Sequence, residues 1–234
     1  MMKFKIYTAI FILLSSLNAF AVQNIALDKT RIIYIPKDKN IITVYNKSES
    51  PFLIQAKIKQ NSSISKNNLE AGIVAPPLFR IEPDSKFTTN IIINSDNFPD
   101  DRESLLHLYI LSIPSLEKKE ENNNSSISIA AESVLKVFYR PLKIDENKNE
   151  LLNNLSFNHK DNNLIIDNKS PYYVTFSDIT LDKEKIALNY DNSMISPFSS
   201  IKYLTKYTNT KVISFSIITD DGSERKIEYQ KEIK

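Results

Sequence analysis

The stretch ESVLKVFYRP, Glu132 to Pro141, decides how this chain is read. Val134, Leu135, Val137, Phe138 and Tyr139 are β-branched, aliphatic or aromatic, the composition of a buried strand. Lys136 stands in their midst, and Arg140 follows four residues later. A lysine buried without a partner costs several kcal/mol, on the order of the desolvation of an ion. Lys136 therefore either snorkels to water or waits for an anionic ligand.

Working outward, the first residues carry Lys3 and Lys5, an apolar run from Ile6 to Leu14, and small residues at Ala19 and Ala21. This pattern predicts a cleaved secretory signal peptide over residues 1–21 and an exported product. No later run is apolar enough for a membrane span, so membrane insertion is not expected. The whole chain has 30 Lys+Arg against 28 Asp+Glu, and losing the two leader lysines leaves the remainder formally neutral. Nothing in that balance favours nucleic acid or anionic lipid. The chain has no cysteine, so thiol chemistry and disulfides are excluded and stability rests on burial and hydrogen bonding.

Short strand-like runs recur between turn signals: TRIIYIP, NIITVYNKS, PFLIQAKIKQ, LFRIEP, FTTNIIINS, SLLHLYILSIP and SISIAAESVLKVFYRP. Several alternate apolar and polar residues and none shows a helical stripe, which predicts an antiparallel sandwich over residues 22–142. Within the polar stretch KIDENKNE, residues 143–148 read as a linker. A second series (LSFNHK, NLIIDNK, YYVTFSDITL, EKIALNY, SIKYLTKY, KVISFSIITDD, ERKIEYQKEI) predicts another β domain over 149–234. Only two glycines are present, so turns fall to Asn, Asp, Ser and Pro.

Catalysis finds little support. The two histidines, His107 and His159, sit in strand-like runs away from carboxylate clusters, so neither a metal site nor a His-based triad is expected. Two glycines exclude phosphate-cradling and nucleophile-elbow motifs. Acidic pairs such as Asp100–Asp101 and Asp220–Asp221 read as solvated turns. No enzyme activity, cofactor or metal is expected.

Three ordered blocks carry a resemblance: APPLFRIEPDSKFTTNIII, then FPDDRESLLHLYILSIPS, then LKVFYRP, supported by TRIIYIP, NKSPYYVTFSDI and SMISPFSS. Together they resemble the PapD-like periplasmic chaperones of the chaperone-usher pilus pathway, over essentially the whole exported chain. The resemblance implies an all-β fold of two immunoglobulin-like β-sandwich domains, set at an angle around a cleft. It implies pilin (fimbrial) subunits as clients, held by donation of the chaperone's seventh strand, and an outer-membrane usher as the receiving partner. A self-capped dimer of the free chain is a further expectation, because exposed strand edges invite pairing.

The resemblance also assigns residues. Arg31 and Lys136 match the family's pair that anchors the client's C-terminal carboxylate. Ile127, Ile129, Ala131 and Ser133 match the donor-strand row, and Glu103, Arg140 and Asp220 match a charge network between the domains. Lys136 has the opposite strand parity from Ile127, so row and anchor could share a face only across a bulge. Leu106 and His107 stand where the family often has Phe-Trp. The short, cysteine-free segment at 114–126 resembles the family's short-loop branch. Without the resemblance, a two-domain adhesin or structural subunit and an exported hydrolase remain alternatives.

Overall fold

The computed structural model describes residues 24–60, 69–96, 98–115, 128–144, 153–160, 162–182, 184–205 and 212–229. The expected leader at 1–21, most of the expected linker and the donor-row residue Ile127 lie outside them.

The first unit contains β1 (Ile25–Leu27), β2 (Arg31–Tyr34), β3 (Ile41–Asn46), β4 (Phe52–Gln60), β5 (Leu69–Glu70), β6 (Gly72–Ala75), β7 (Leu78–Ile81), β8 (Ser85–Ile93), β9 (Ser104–Pro114) and β10 (Ala131–Tyr139). The second contains β11 (Leu155–Lys160), β12 (Asn163–Asn168), β13 (Val174–Leu181), β14 (Glu184–Lys185), β15 (Met194–Ile195), β16 (Ser199–Leu204), β17 (Ile213–Ile218) and β18 (Glu224–Tyr229).

Each unit is a sandwich of two sheets. In the first, β1-β3-β8-β6 faces β2-β10-β9-β4-β5, with β7 paired to β4. In the second, β11-β12-β16 faces β14-β13-β17-β18, with β15 paired to β13. Period-two alternation produces this packing: β4 buries Phe52, Ile54, Ala56 and Ile58 and turns the residues between them outward. Leu106, Leu108 and Ile110 do the same on β9, and Phe176, Ile179 and Phe215 anchor the second core. Burying each of the larger of these side chains, the leucines, isoleucines and phenylalanines, contributes about 1.5–3 kcal/mol.

The alternation is readable from sequence, but the lengths of the shortest strands are not: of the run EKIALNY only Glu184–Lys185 is strand. β1 has three residues, and β15 and β14 have two each. β6 depends on Gly72, where an added Cβ would lie 2.3 Å from the Ile92 carbonyl oxygen. Only glycine lets that edge approach its neighbour so closely.

Both sandwiches carry the same buried plug. Asn46 and Asn168 are each 1% exposed and each opens an Asn-Lys-Ser triplet. Asn46 Nδ2 donates to the carbonyls of Ser50 and Glu82, and its Oδ1 accepts from the Ser48 amide and hydroxyl. Asn168 Nδ2 donates to the carbonyls of Tyr172 and Ser196, and its Oδ1 accepts from Ser170 in the same way. Glycine-poor corners are thus held by side-chain amides that substitute for backbone pairing.

The turn after β17 presses on the first sandwich. Gly222 has φ of 84°, and a Cβ there would lie 2.2 Å from the Thr30 hydroxyl. Gly222→Ala is expected to cost about 1–2 kcal/mol from the left-handed backbone alone. Adding Thr30→Ala should remove only the steric part. Urea midpoints of the two variants check this, and a wild-type midpoint for Gly222→Ala would contradict it.

Candidate functional site

The outward face of β10 builds the site. Leu135, Val137 and Tyr139 point into the first core, so Lys136, Phe138 and the following Arg140 point the other way, toward the second sandwich. β2 lies beside β10 in parallel, with Arg31 directly opposite Lys136. Strand pairing thus brings together two cations far apart in sequence.

Among the described residues, neither cation is paired with a carboxylate. The Arg31 guanidinium donates to the Ile218 carbonyl at 3.1 Å and lies 5.5 Å from the centre of the Phe138 ring. Lys136 Nζ makes no hydrogen bond or ion pair among the described residues and lies 5.3 Å from the centre of the Tyr190 ring. Burial pushes the pKa of both groups down. Arg31 adds to the depression of Lys136, whereas Asp220 and Glu103 partly restore Arg31. Two like charges side by side and partly desolvated are an arrangement that could hold an anion.

Arg31 also lines a cavity of about 310 Å³ shared with Phe138, Arg140, Tyr172, Asp220 and Arg225. At its base, the charge network unites the three expected residues. Arg140 Nε and Nη2 reach Glu103 Oε1 at 2.8 and 2.7 Å, and Nη1 and Nη2 reach Asp220 at 2.8 and 3.2 Å. Glu103 Oε2 accepts from the Tyr173 amide at 2.8 Å, and the Glu103 amide donates to the Pro171 carbonyl. Burial is the largest influence on Glu103 and pushes its carboxyl up, while Arg140 and the Tyr173 amide pull it down. Ring contact between Phe138 and Tyr173 adds an apolar seam to the junction.

The donor row has a different setting. β10 pairs with β9 along its whole length, from Ala131 opposite Ser112 to Tyr139 opposite Ser104, without a register shift. Between Ala131 and Tyr139 no bulge interrupts the strand, so Ala131 and Ser133 lie on the face opposite Lys136. The strand itself begins at Ala131, so Ile129 precedes it, 77% exposed. Ala131 and Ser133 continue the parity of the core residues Leu135 and Val137 but are exposed. Together with Ile129 they line an open groove of about 540 Å³ alongside Ile25 and Phe52. On its other edge β10 pairs with β2 only from Lys136 to Tyr139. Ala131 to Leu135 therefore offer a strand edge with no partner among the described residues.

Tyr190 and His107 belong to the same neighbourhood, which no sequence pattern reveals: His107 has no catalytic companions nearby in the chain, and Tyr190 ends the strand-like run EKIALNY. Tyr190 occupies the loop between β14 and β15, and only the fold places it over Lys136.

Residues 24–145 match the family model described as "Pili and flagellar-assembly chaperone, PapD N-terminal domain", and residues 150–229 match "Pili assembly chaperone PapD, C-terminal domain". The chain is 33% identical over 217 residues to the probable fimbrial chaperone SfmC of Escherichia coli strain K12, covering 92% of this chain and 91% of that one. It is 28% identical over 211 residues to the Escherichia coli chaperone protein CssC, covering 88% and 89%. Its fold matches a chain in the structure of the Salmonella enterica SafA pilin in complex with the SafB chaperone, with a TM-score of 0.75, 23% identity, and coverage of 91% and 98%. Two family models that between them span both sandwiches place this chain in the PapD family of pili assembly chaperones.

Proposed function

We propose that this chain works in the periplasm, where it captures pilin subunits by adding its β10 edge to an incomplete subunit and passes them to an outer-membrane usher. The observation that carries this reading is the unpartnered edge from Ala131 to Leu135, which ends at the Arg31–Lys136 pair.

The edge supplies main-chain donors and acceptors for strand addition, and the row on its core-facing parity supplies apolar groups to fill a client's groove. A client strand laid there in continuation of β2 runs parallel to β10 and finishes beside the two cations. Its terminal carboxylate then meets both. An antiparallel strand would bring a terminal ammonium to the same place and be repelled. The cations thus set polarity and register together, since fixing the last residue fixes which side chains face which pockets. The opposite parity of row and anchor suits this arrangement: one face fills the client while the other addresses its terminus. Glu103, Arg140 and Asp220 hold the second sandwich against the first, and the row extends N-terminally to Ile127.

The test is co-expression with a pilin subunit encoded beside this gene. A stable one-to-one complex is expected on affinity purification. Ile129→Asp with Ala131→Asp should abolish it, because a charge in an apolar groove costs several kcal/mol, on the order of an unpaired ion. Both positions are exposed, so the free protein should keep its stability within about 0.5 kcal/mol. A complex that survives this double substitution would refute strand donation.

A further inference from the structure

His107 and Tyr190 extend the anion site. His107 stands on β9 directly opposite Lys136 on β10 and, on its other side, opposite Lys59 on β4. Its Nε2 lies 3.2 Å from the Tyr190 hydroxyl, and its Nδ1 is buried with no hydrogen-bond partner among the described residues. The ring of the same Tyr190, otherwise 69% exposed, covers Lys136 Nζ. One aromatic side chain of the second sandwich therefore bridges a lysine and an imidazole of the first. The titratable and charged groups facing the imidazole are Lys136 from β10, Lys59 from β4, Tyr109 on its own strand and Tyr190 from the opposing loop.

We propose that His107 makes the anion site proton-linked: capture of a terminal carboxylate by Arg31 and Lys136 draws a proton onto His107, and the site tightens as pH falls. This rests on the carboxylate reading of the Arg31–Lys136 pair given above. In the free chain, burial first and then the charge of Lys136 press the His107 pKa below its ordinary value, so the ring is neutral near pH 7. A carboxylate seated at Lys136 cancels that repulsion and adds an attractive charge on the same face. Both changes raise the imidazole pKa, and the bound state takes up a proton that the free state lacks. By linkage, each unit of that rise makes binding about tenfold tighter below the titration window than above it. Lysine, arginine and tyrosine ordinarily titrate above this window and a terminal carboxylate below it; the Glu103 carboxyl, pushed up by burial and acting on Arg31, is told apart from His107 by the His107→Gln variant. A client end lacking the negative charge gains nothing from the device, so His107 sharpens selection for a free C-terminus.

The probe is a short fluorescent peptide of alternating valine and serine with a free C-terminal carboxylate, compared with its C-terminal amide by anisotropy. The carboxylate peptide is expected to bind more tightly near pH 5.5 than near pH 7.5, by up to about tenfold, the full factor of a one-unit pKa rise being reached only below the free-state titration. His107→Gln keeps a hydrogen bond to Tyr190 without titrating and should bind this peptide with little pH dependence. The chain has only two histidines, so NMR titration resolves His107 with His159 as an internal reference. The His107 pKa should rise on adding the carboxylate peptide and stay put on adding the amide. Carboxylate binding that is flat with pH in the wild type overturns the linkage and leaves the anion site standing. pH dependence that persists in His107→Gln overturns the role of this residue. Equal binding of both peptides, or of neither, overturns the anion site and the linkage together.

Discussion

Lys136→Met is expected to abolish recovery of a pilin subunit while leaving the free protein as stable as the wild type, or slightly more so. The gain follows from the setting of Lys136. Burial and the neighbouring Arg31 both work against its charge, and among the described residues only an aromatic ring compensates. Methionine keeps the packed stem and relieves the repulsion, contributing up to about 1 kcal/mol, a stability gained by removing a functional group. The loss in binding is far larger. Removing one donor from a desolvated, charge-assisted contact costs about 2–5 kcal/mol, a fall in affinity of roughly thirty- to several-thousandfold. Arg31→Ala should also lose the client but is a less clean experiment. It deletes the bond to the Ile218 carbonyl and the contact with Phe138, both of which belong to the junction between sandwiches. Thermal unfolding and co-purification of Lys136→Met decide the matter together. Full recovery of the subunit would show that Lys136 is merely a strand lysine with its head in water.

The two sandwiches could be read in the sequence because a strand with one buried face writes itself as alternation. Phe52, Ile54, Ala56 and Ile58 needed no partner strand to be recognised. Their cross-strand neighbours left no such mark. Nothing in the spacing of Arg31 and Lys136 states that β2 runs parallel to β10 with the two in register, and here the resemblance to a family supplied what periodicity could not. The same limit explains Tyr190. It sits in a loop, follows no period, and acquires meaning only when the second sandwich sets its ring over Lys136. The parity of Lys136 against the donor row was legible, but its sense was not. Parity alone suggests a conflict that a bulge would repair, whereas the ladder from Ala131 to Tyr139 is unbroken and sets Ala131 and Ser133 on one face of the strand and Lys136 on the other.

The charge network divides into two halves of unequal weight, and Arg140→Met separates them. Arg140 and Glu103 both belong to the first sandwich and are 5% and 3% exposed, whereas the Asp220 side chain is about one-third open to solvent. Removing Arg140 strands the Glu103 carboxylate, and breaking a buried pair from one side costs about 3–5 kcal/mol. Asp220→Asn removes only a partly exposed partner and should cost about 0–1 kcal/mol. Its effect should fall instead on the seating of the second sandwich, seen as a broader distribution of overall dimensions in X-ray scattering. The stability deficit of Arg140→Met should also shrink in acid. Burial already pushes Glu103 upward, and without Arg140 nothing from that side opposes it, so the folded-state pKa moves further above the unfolded value. A carboxyl raised on folding binds more protons in the native state, so stability falls as pH rises from the unfolded to the folded pKa. The deficit is therefore complete above the folded value and relieved below it. Adding Glu103→Gln to Arg140→Met should recover part of the loss at neutral pH and abolish its pH dependence, with a coupling of about 0.5–3 kcal/mol. Urea unfolding across that pH range measures both quantities. Additive single effects with no pH response would mean that the pair is not coupled and that the first sandwich holds its edge by apolar packing alone.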